Sequence, residues 1–270
     1  MRREASVLVA ILCLLASACS KLERLSIVKP TAERGDYTQV APTYDVSDKG
    51  RTGTPMAAGE QLASANELFR GGKLAQAEQQ ARRALKSNPR LGDAHVLLAM
   101  VAAARGDDAS TGRHYQQALA IAPGNGVYAN NYGAWLCGHG RAAESLAWFD
   151  RALADPAYFT RAAAFANAGS CARDSGQAAR AEANWRQALA LDAINVPSLS
   201  GMADLQFRSG HYLEARAFSE RWLAVVPSDM AGLRLAAQIE QKLGDNVASQ
   251  RYLLRLQGIS TGTTTAPRPQ

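Results

Sequence analysis

The chain has 270 residues, of which 47% are hydrophobic, 20% charged and 7% aromatic, and its formal net charge is +6. Such a composition is globular, with enough apolar material for one large core or a repeat array. The positive balance is mild and no Lys/Arg block is interleaved with aromatic residues, which argues against a nucleic-acid partner; Arg82, Arg83, Lys86 and Arg90 read as one solvated helix face.

The first twenty residues read MRREASVLVAILCLLASACS. Arg2 and Arg3 precede an uncharged run from Ala5 to Ala18 that is shorter than the ~20 residues a spanning helix needs. A short apolar stretch behind arginines and before small residues predicts a secretory signal over residues 1–18, the alternative being an uncut anchor helix. Leu15-Ala16-Ser17-Ala18-Cys19 resembles a bacterial lipobox, with Ala16 where leucine is usual. That resemblance implies acylation of Cys19. Each buried methylene contributes about 0.8 kcal/mol, so several acyl chains hold firmly where one does not. Ser20, rather than aspartate, follows the cysteine, which implies sorting to the periplasmic face of the outer membrane. Residues 19–57, with Pro30, Pro42 and Pro55 and no sustained helical period, then serve as a tether.

From residue 58 the chain repeats. Gly72, Gly106, Gly140, Gly176, Gly210 and Gly244 are spaced 34, 34, 36, 34 and 34 residues apart. This is the tetratricopeptide period with one two-residue insertion. Ala84-Leu85, Ala118-Leu119, Ala152-Leu153 and Ala188-Leu189 recur at matching offsets, and the sixth unit is degenerate, as suits a cap. The predicted fold is all-α: a right-handed superhelical array of about six helix-turn-helix repeats over 58–257, with units starting near 58, 92, 126, 162, 196 and 230. Each repeat glycine ends a first helix in a left-handed conformation. Seven residues earlier stand Ala65, Ala99, Gly133, Gly169, Ala203 and Ala237, where the two helices of a unit must approach closely. Residues 258–270, GISTGTTTAPRPQ, are expected to be disordered.

Cys137 is the twelfth residue of its unit and Cys171 the tenth of the next. Two helical residues turn about 200°, so on neighbouring first helices the thiols either meet across the seam or point apart. Export into an oxidising compartment favours a Cys137–Cys171 disulfide over two small buried apolar residues.

No catalytic arrangement is legible. His95, His114, His139 and His211 fall in separate units, and HExxH, CxxC, GxSxG, P-loop and dinucleotide-binding motifs are missing. No cofactor, metal or small-molecule substrate is expected, and no enzymatic activity. The working surface is instead the concave face, lined in such arrays by positions 2, 5, 9, 12 and 13 of each first helix. These positions give Leu62, Asn66, Phe69 and Arg70, then Asp93, Val96, Met100 and Ala103, then Asn130 and Ala134. Later units contribute Ser170, Arg173 and Asp174, then Asp204, Phe207 and Arg208, then Arg234, Gln238 and Lys242. Leu62, Phe69, Val96 and Met100 predict an apolar groove for a partner's amphipathic segment, unless Leu62 and Val96 pack between helices.

Asn130-Asn131-Tyr132-Gly133, Leu136-Cys137 and Gly140, followed by Asn167-Ala168-Gly169 and Cys171-Ala172, resemble the type IV pilus biogenesis lipoproteins of the PilF/PilW pilotin family. The likeness covers residues 58–257 and the leader. It implies a non-enzymatic protein that binds the pilus secretin through its groove and assists secretin localisation and multimer assembly in the outer membrane. Members often carry two cysteines at matching places, which supports the disulfide. The competing reading is another periplasmic scaffold lipoprotein, an adaptor for peptidoglycan hydrolases or a tight-adherence pilus component.

Overall fold

Six backbone torsions organise the molecule. In the computed structural model, which describes residues 57–260, the only residues with positive φ among those described are Gly72, Gly106, Gly140, Gly176, Gly210 and Gly244, at 71–83°. Each lets the following residue turn back. The N–H of Lys73, Asp107, Arg141, Gln177, His211 or Asp245 donates to a carbonyl five residues earlier, at 2.8–3.0 Å, closing the first helix of its unit.

The described residues form twelve helices and no strand. In chain order the units pair α1 (Ala58–Arg70) with α2 (Leu74–Ser87), α3 (Gly92–Ala104) with α4 (Asp108–Ile121), and α5 (Gly126–Gly138) with α6 (Ala142–Ala154). They continue with α7 (Arg161–Asp174) and α8 (Ala178–Leu191), α9 (Val196–Arg208) and α10 (Tyr212–Val225), and α11 (Met230–Leu243) and α12 (Asn246–Ser260). Each first helix packs on its own partner and on the second helix of the preceding unit. First helices of successive units also touch, at α1–α3, α5–α7, α7–α9 and α9–α11. The first helices therefore form the tighter inner layer and the second helices the splayed outer one, the geometry of a helical repeat solenoid.

Ala65, Ala99, Gly133, Gly169, Ala203 and Ala237 are all buried. The two glycines leave room for rings. A Cβ on Gly133 would stand 3.1 Å from Phe149, and one on Gly169 only 2.5 Å from the Trp185 indole. Trp185 is gripped from its other side too, since a Cβ on Gly201 of α9 would lie 2.4 Å from it. Thus one fully buried tryptophan sits between glycines of two successive units.

The inter-unit loops are held by a device that the period alone did not reveal. Arg151, Arg221 and Arg255 each donate to a loop carbonyl 28 residues back, those of Pro123, Ala193 and Pro227, at 2.7–3.3 Å. Each guanidinium also lies over the ring three residues before it, that of Trp148, Phe218 or Tyr252. An aromatic-x-x-Arg spacing on the second helix is the sequence signal.

Two boundaries differ from expectation. The fourth unit begins at Arg161, one residue early, and the last helix runs to Ser260 rather than stopping at 257. Tyr252, Leu256 and Ile259 recur at helical spacing and pack on Leu223, Leu233 and Ala236, so hydrophobic burial carries the helix past Gly258. The signal (1–18), Cys19, the tether up to residue 56 and the tail from 261 lie outside the described residues. Among those described, no helix is long and apolar enough to cross a membrane.

Candidate functional site

Three of the seven residues predicted to line an open groove are structural. Val96 is only 9% exposed and belongs to a core cluster with Ala99, Tyr115 and Tyr128. Leu62 and Phe69 are half-buried against Leu97, Leu98 and Leu85. Leu62 and Phe69 are thus corrected to an inter-unit seam, because Leu97 and Leu98 of α3 take up the surface of α1, whereas Val96 turns into the core shared with α4 and α5. What remains open on the inner face is Met100, 37% exposed, with the exposed Ala103 beside it. Asn66, half-buried, donates to the carbonyl of Leu62 in its own helix.

Farther along, the inner face is polar and small. Asn167 of α7 donates from Nδ2 to Oδ1 of Asn130 on α5 at 3.2 Å, a bond between first helices of successive units. Ala134 and Ala163 are exposed beside this pair, and Ser170 is half-buried with its hydroxyl turned to the Ala166 carbonyl. The same two helices are joined by a disulfide between Cys137 and Cys171, whose Cα atoms lie 5.8 Å apart. The run NNYG…LC…NAG.C is consequently a seam code: Asn130, Asn167 and the two cysteines clasp α5 to α7, while Gly133 and Gly169 admit the rings of α6 and α8. Asn167 belongs to that run, and its place on the inner face is visible only once the helices are paired.

The charged residues expected in later units are mostly engaged. Arg173 pairs with Asp174 and Arg208 with Asp204. Phe207 is half-buried against Tyr212, whereas Arg234, Gln238 and Lys242 are exposed on α11. Asp93 accepts the Tyr128 hydroxyl at 2.8 Å, tying α3 to α5 and raising the phenol above its usual range through burial and the carboxylate.

The histidines are dispersed as the sequence indicated, apart from one pair. His95 and His114 bring their Nδ1 atoms within 3.4 Å, and His114 Nδ1 is 2.9 Å from Gln117 Oε1. Burial lowers the pKa of both. The pair's mutual repulsion adds to this at His95, and Arg82 and Arg113 add to it at His114, against Gln117 and Glu78. His139 behaves oppositely. Its Nδ1 donates to the Trp135 carbonyl at 2.7 Å and its Nε2 to Asp108 at 2.8 Å. Both bonds need N–H donors, so the imidazolium is favoured and the pKa rises. Stability from His139 is present below its unfolded value of about 6.5 and lost as pH climbs through the raised folded value. For His95 and His114, stability is present above about 6.5 and lost as pH falls through their depressed values. Proton NMR is expected to show His139 titrating above and His95 and His114 below free histidine; the reverse order would contradict these contacts.

Among the described residues, no group of three or more His, Cys, Asp or Glu could hold a metal ion. One cleft of about 390 Å³, lined by Arg216, Glu220, Glu240, Asp245, Arg251 and Arg255, is spanned by the Arg216–Glu240 ion pair and serves the C-terminal cap. The arrangement as a whole is that of a scaffold presenting surface.

Comparison with known proteins agrees with this geometry. No protein-family model matches the chain. The crystal structure of PilW, described as a widely conserved type IV pilus biogenesis factor, superposes with a TM-score of 0.70 at 31% identity, covering 76% of this chain and 94% of that one. The type IV pilus assembly protein PilF of Pseudomonas aeruginosa is 28% identical over 193 residues, 71% of this chain and 76% of PilF. The solved structure of Pseudomonas aeruginosa PilF has a TM-score of 0.71 at 24% identity, covers 76% of this chain and 92% of its own, and supports the fold.

Proposed function

Because this chain belongs to the PilF/PilW family of type IV pilus biogenesis proteins with tetratricopeptide repeats, we propose that it is a non-catalytic pilotin. In this reading Cys19 is acylated, the lipid holds the array at the periplasmic face of the outer membrane, and the inner face captures the pilus secretin. Tethering raises the effective concentration of captured subunits and so promotes their assembly into multimers. The observation that carries the reading is the likeness to PilW over nearly the whole of that protein.

The docking segment runs along the open part of the inner face, from Met100 and Ala103 towards Asn130 and Asn167. Met100 supplies an adaptable apolar contact. Ala103, Ala134 and Ala163 keep the floor low enough for a backbone to approach. Asn130 spends its oxygen on Asn167 and one amide N–H on Asn131 Oδ1 at 3.5 Å, and its second N–H serves to donate to a partner carbonyl. Asn66 flanks the same path.

The test is the yield of heat-resistant secretin multimers in cells with and without the protein. Deletion is expected to leave secretin as monomers. Met100→Glu with Ala134→Glu should reproduce that loss in a chain whose helicity and unfolding midpoint are unchanged, since both positions are exposed. Unchanged multimers in the deletion would refute the pilotin reading; unchanged multimers only in the double variant would move the docking site.

A further inference from the structure

The edge of the array that carries the inter-unit loops has a surface chemistry that the inner face lacks. Ten large apolar side chains are exposed among the described residues, and six of them lie on this edge. Phe159, 94% exposed, occupies the loop that holds the two-residue insertion, and Ile194, 65% exposed, the next loop. Leu191, Val225, Met230 and Val127 stand in the helical turns adjoining these loops. Each such connection from the second unit onward also holds a guanidinium. Arg151 binds the Pro123 carbonyl near Val127, and Arg161 binds the Leu153 carbonyl near Phe159. Arg221 binds the Ala193 carbonyl beside Ile194, and Arg255 the Pro227 carbonyl between Val225 and Met230.

Three half-buried aspartates on this edge are engaged by backbone donors. Asp155 accepts the N–H groups of Gly126 and Ala157, Asp192 that of Ile194, and Asp229 those of Ala231 and Gly232. These bonds occupy carboxylate oxygens with backbone donors. Every guanidinium, by contrast, has donors beyond the one used on its loop carbonyl. The edge thus presents one or two exposed apolar side chains at each of four connections, each connection holding an arginine.

We propose that this edge rests on the bilayer, with Phe159 and Ile194 entering the headgroup–acyl boundary and Arg151, Arg161, Arg221 and Arg255 meeting anionic lipid phosphates. Three observations select lipid over a protein partner. The apolar side chains sit on loop tips and helix ends that project, whereas a peptide is gripped in concave pockets. They are separated along an edge instead of gathered into one patch, as the centre of a protein interface would be. Arginine beside each matches a surface of phosphates, which a plane of lipid offers at every spacing. The proximity rests on the proposed anchor: residues 20–56 are 37 residues of chain, which extended could span up to about 120–130 Å, so the tether lets the edge reach the leaflet that holds Cys19. Lying on that edge, the array keeps its inner face beside the membrane and open to a secretin arriving there.

The test uses the acylated full chain on vesicles of phosphatidylethanolamine and phosphatidylglycerol. An environment-sensitive dye is placed through Phe159→Cys, Ile194→Cys, Leu213→Cys or Val247→Cys, the last two being exposed positions on the opposite edge beside the glycine turns. Dye at 159 and 194 is expected to shift to the blue and to lose aqueous quenching by about twofold or more, while dye at 213 and 247 stays in water. Cosedimentation reports the anchor and the dye reports the edge. Failure of the anchor alone leaves the shift at 159 and 194 obtainable at high lipid concentration. A chain that sediments while its dye at 159 and 194 stays aqueous overturns the inference, as does an equal shift on both edges or a shift that appears only when secretin is added.

Discussion

Replacing Trp185 with alanine is expected to destabilise the array by about 3–5 kcal/mol, the range for emptying a large aromatic site in a core. The indole is fully buried and held between Gly169 of α7 and Gly201 of α9, so its loss opens a void at the junction of the fourth and fifth units. The converse changes should be costly as well. Gly169→Ala and Gly201→Ala each force a methyl against the ring, and overpacking of this kind costs about 1–3 kcal/mol, more than the ~1 kcal/mol that alanine gains in helix propensity. The two differ in where they strike: Cβ at 169 meets Cδ1, Nε1 and Cγ, and Cβ at 201 meets Cζ2, Cε2 and Cη2. Trp185→Phe removes the far ring and should therefore rescue Gly201→Ala more fully than Gly169→Ala, a coupling that a double-mutant cycle in denaturant reads directly. Gly138→Ala is the control. It is helical with open space around it, and alanine there should raise the midpoint. Equal behaviour of Gly138→Ala and Gly169→Ala would show that the seam is misplaced.

Cys137→Ala with Cys171→Ala is expected to lower stability by about 3–4 kcal/mol, the chain-entropy value for a crosslink closing a loop of this size. The crosslinked residues are 34 apart, one repeat. The bond ties α5 to α7 across the one inter-unit connection that is two residues longer than the others. A longer connection leaves the neighbouring units more freedom in the unfolded chain and less local guidance in the folded one, so the covalent tie should matter most there. Reductant should lower the unfolding midpoint of the parent and leave the double variant unchanged. Insensitivity of the parent to reductant, with both thiols reactive after denaturation, would exclude the bond. Since Asn130 and Asn167 occupy the same two helices, loss of the crosslink should also loosen the proposed docking floor and reduce secretin multimers at growth temperatures near the lowered midpoint.

Much of this architecture could be read along the chain. A glycine at a fixed interval dictates a left-handed residue, a left-handed residue ends a helix, and six such stops define six units whatever else the sequence contains. Small residues seven positions before each stop mark the close crossings for the same local reason. The groove was less legible. Leu62, Phe69 and Val96 have the character of either a binding stripe or a seam, and only tertiary packing chose the seam, α3 on α1 for the first two and α4 and α5 on α3 for Val96. The arginine clamps are half legible: the aromatic-x-x-Arg spacing is visible, but the acceptors are backbone carbonyls 28 residues away, which carry no sequence signature.

The linear sequence by itself determined the helical pairs, their number and stride, the residues on each inner position and the likeness to pilus biogenesis proteins, because those follow from contacts within one turn or one repeat. Tertiary structure alone decided which inner residues are still accessible, that Trp185 bridges two units, and that apolar loop tips and arginines line one edge together. Accessibility and juxtaposition are properties of neighbouring helices at a given distance and rotation, and no periodicity within a single segment specifies either.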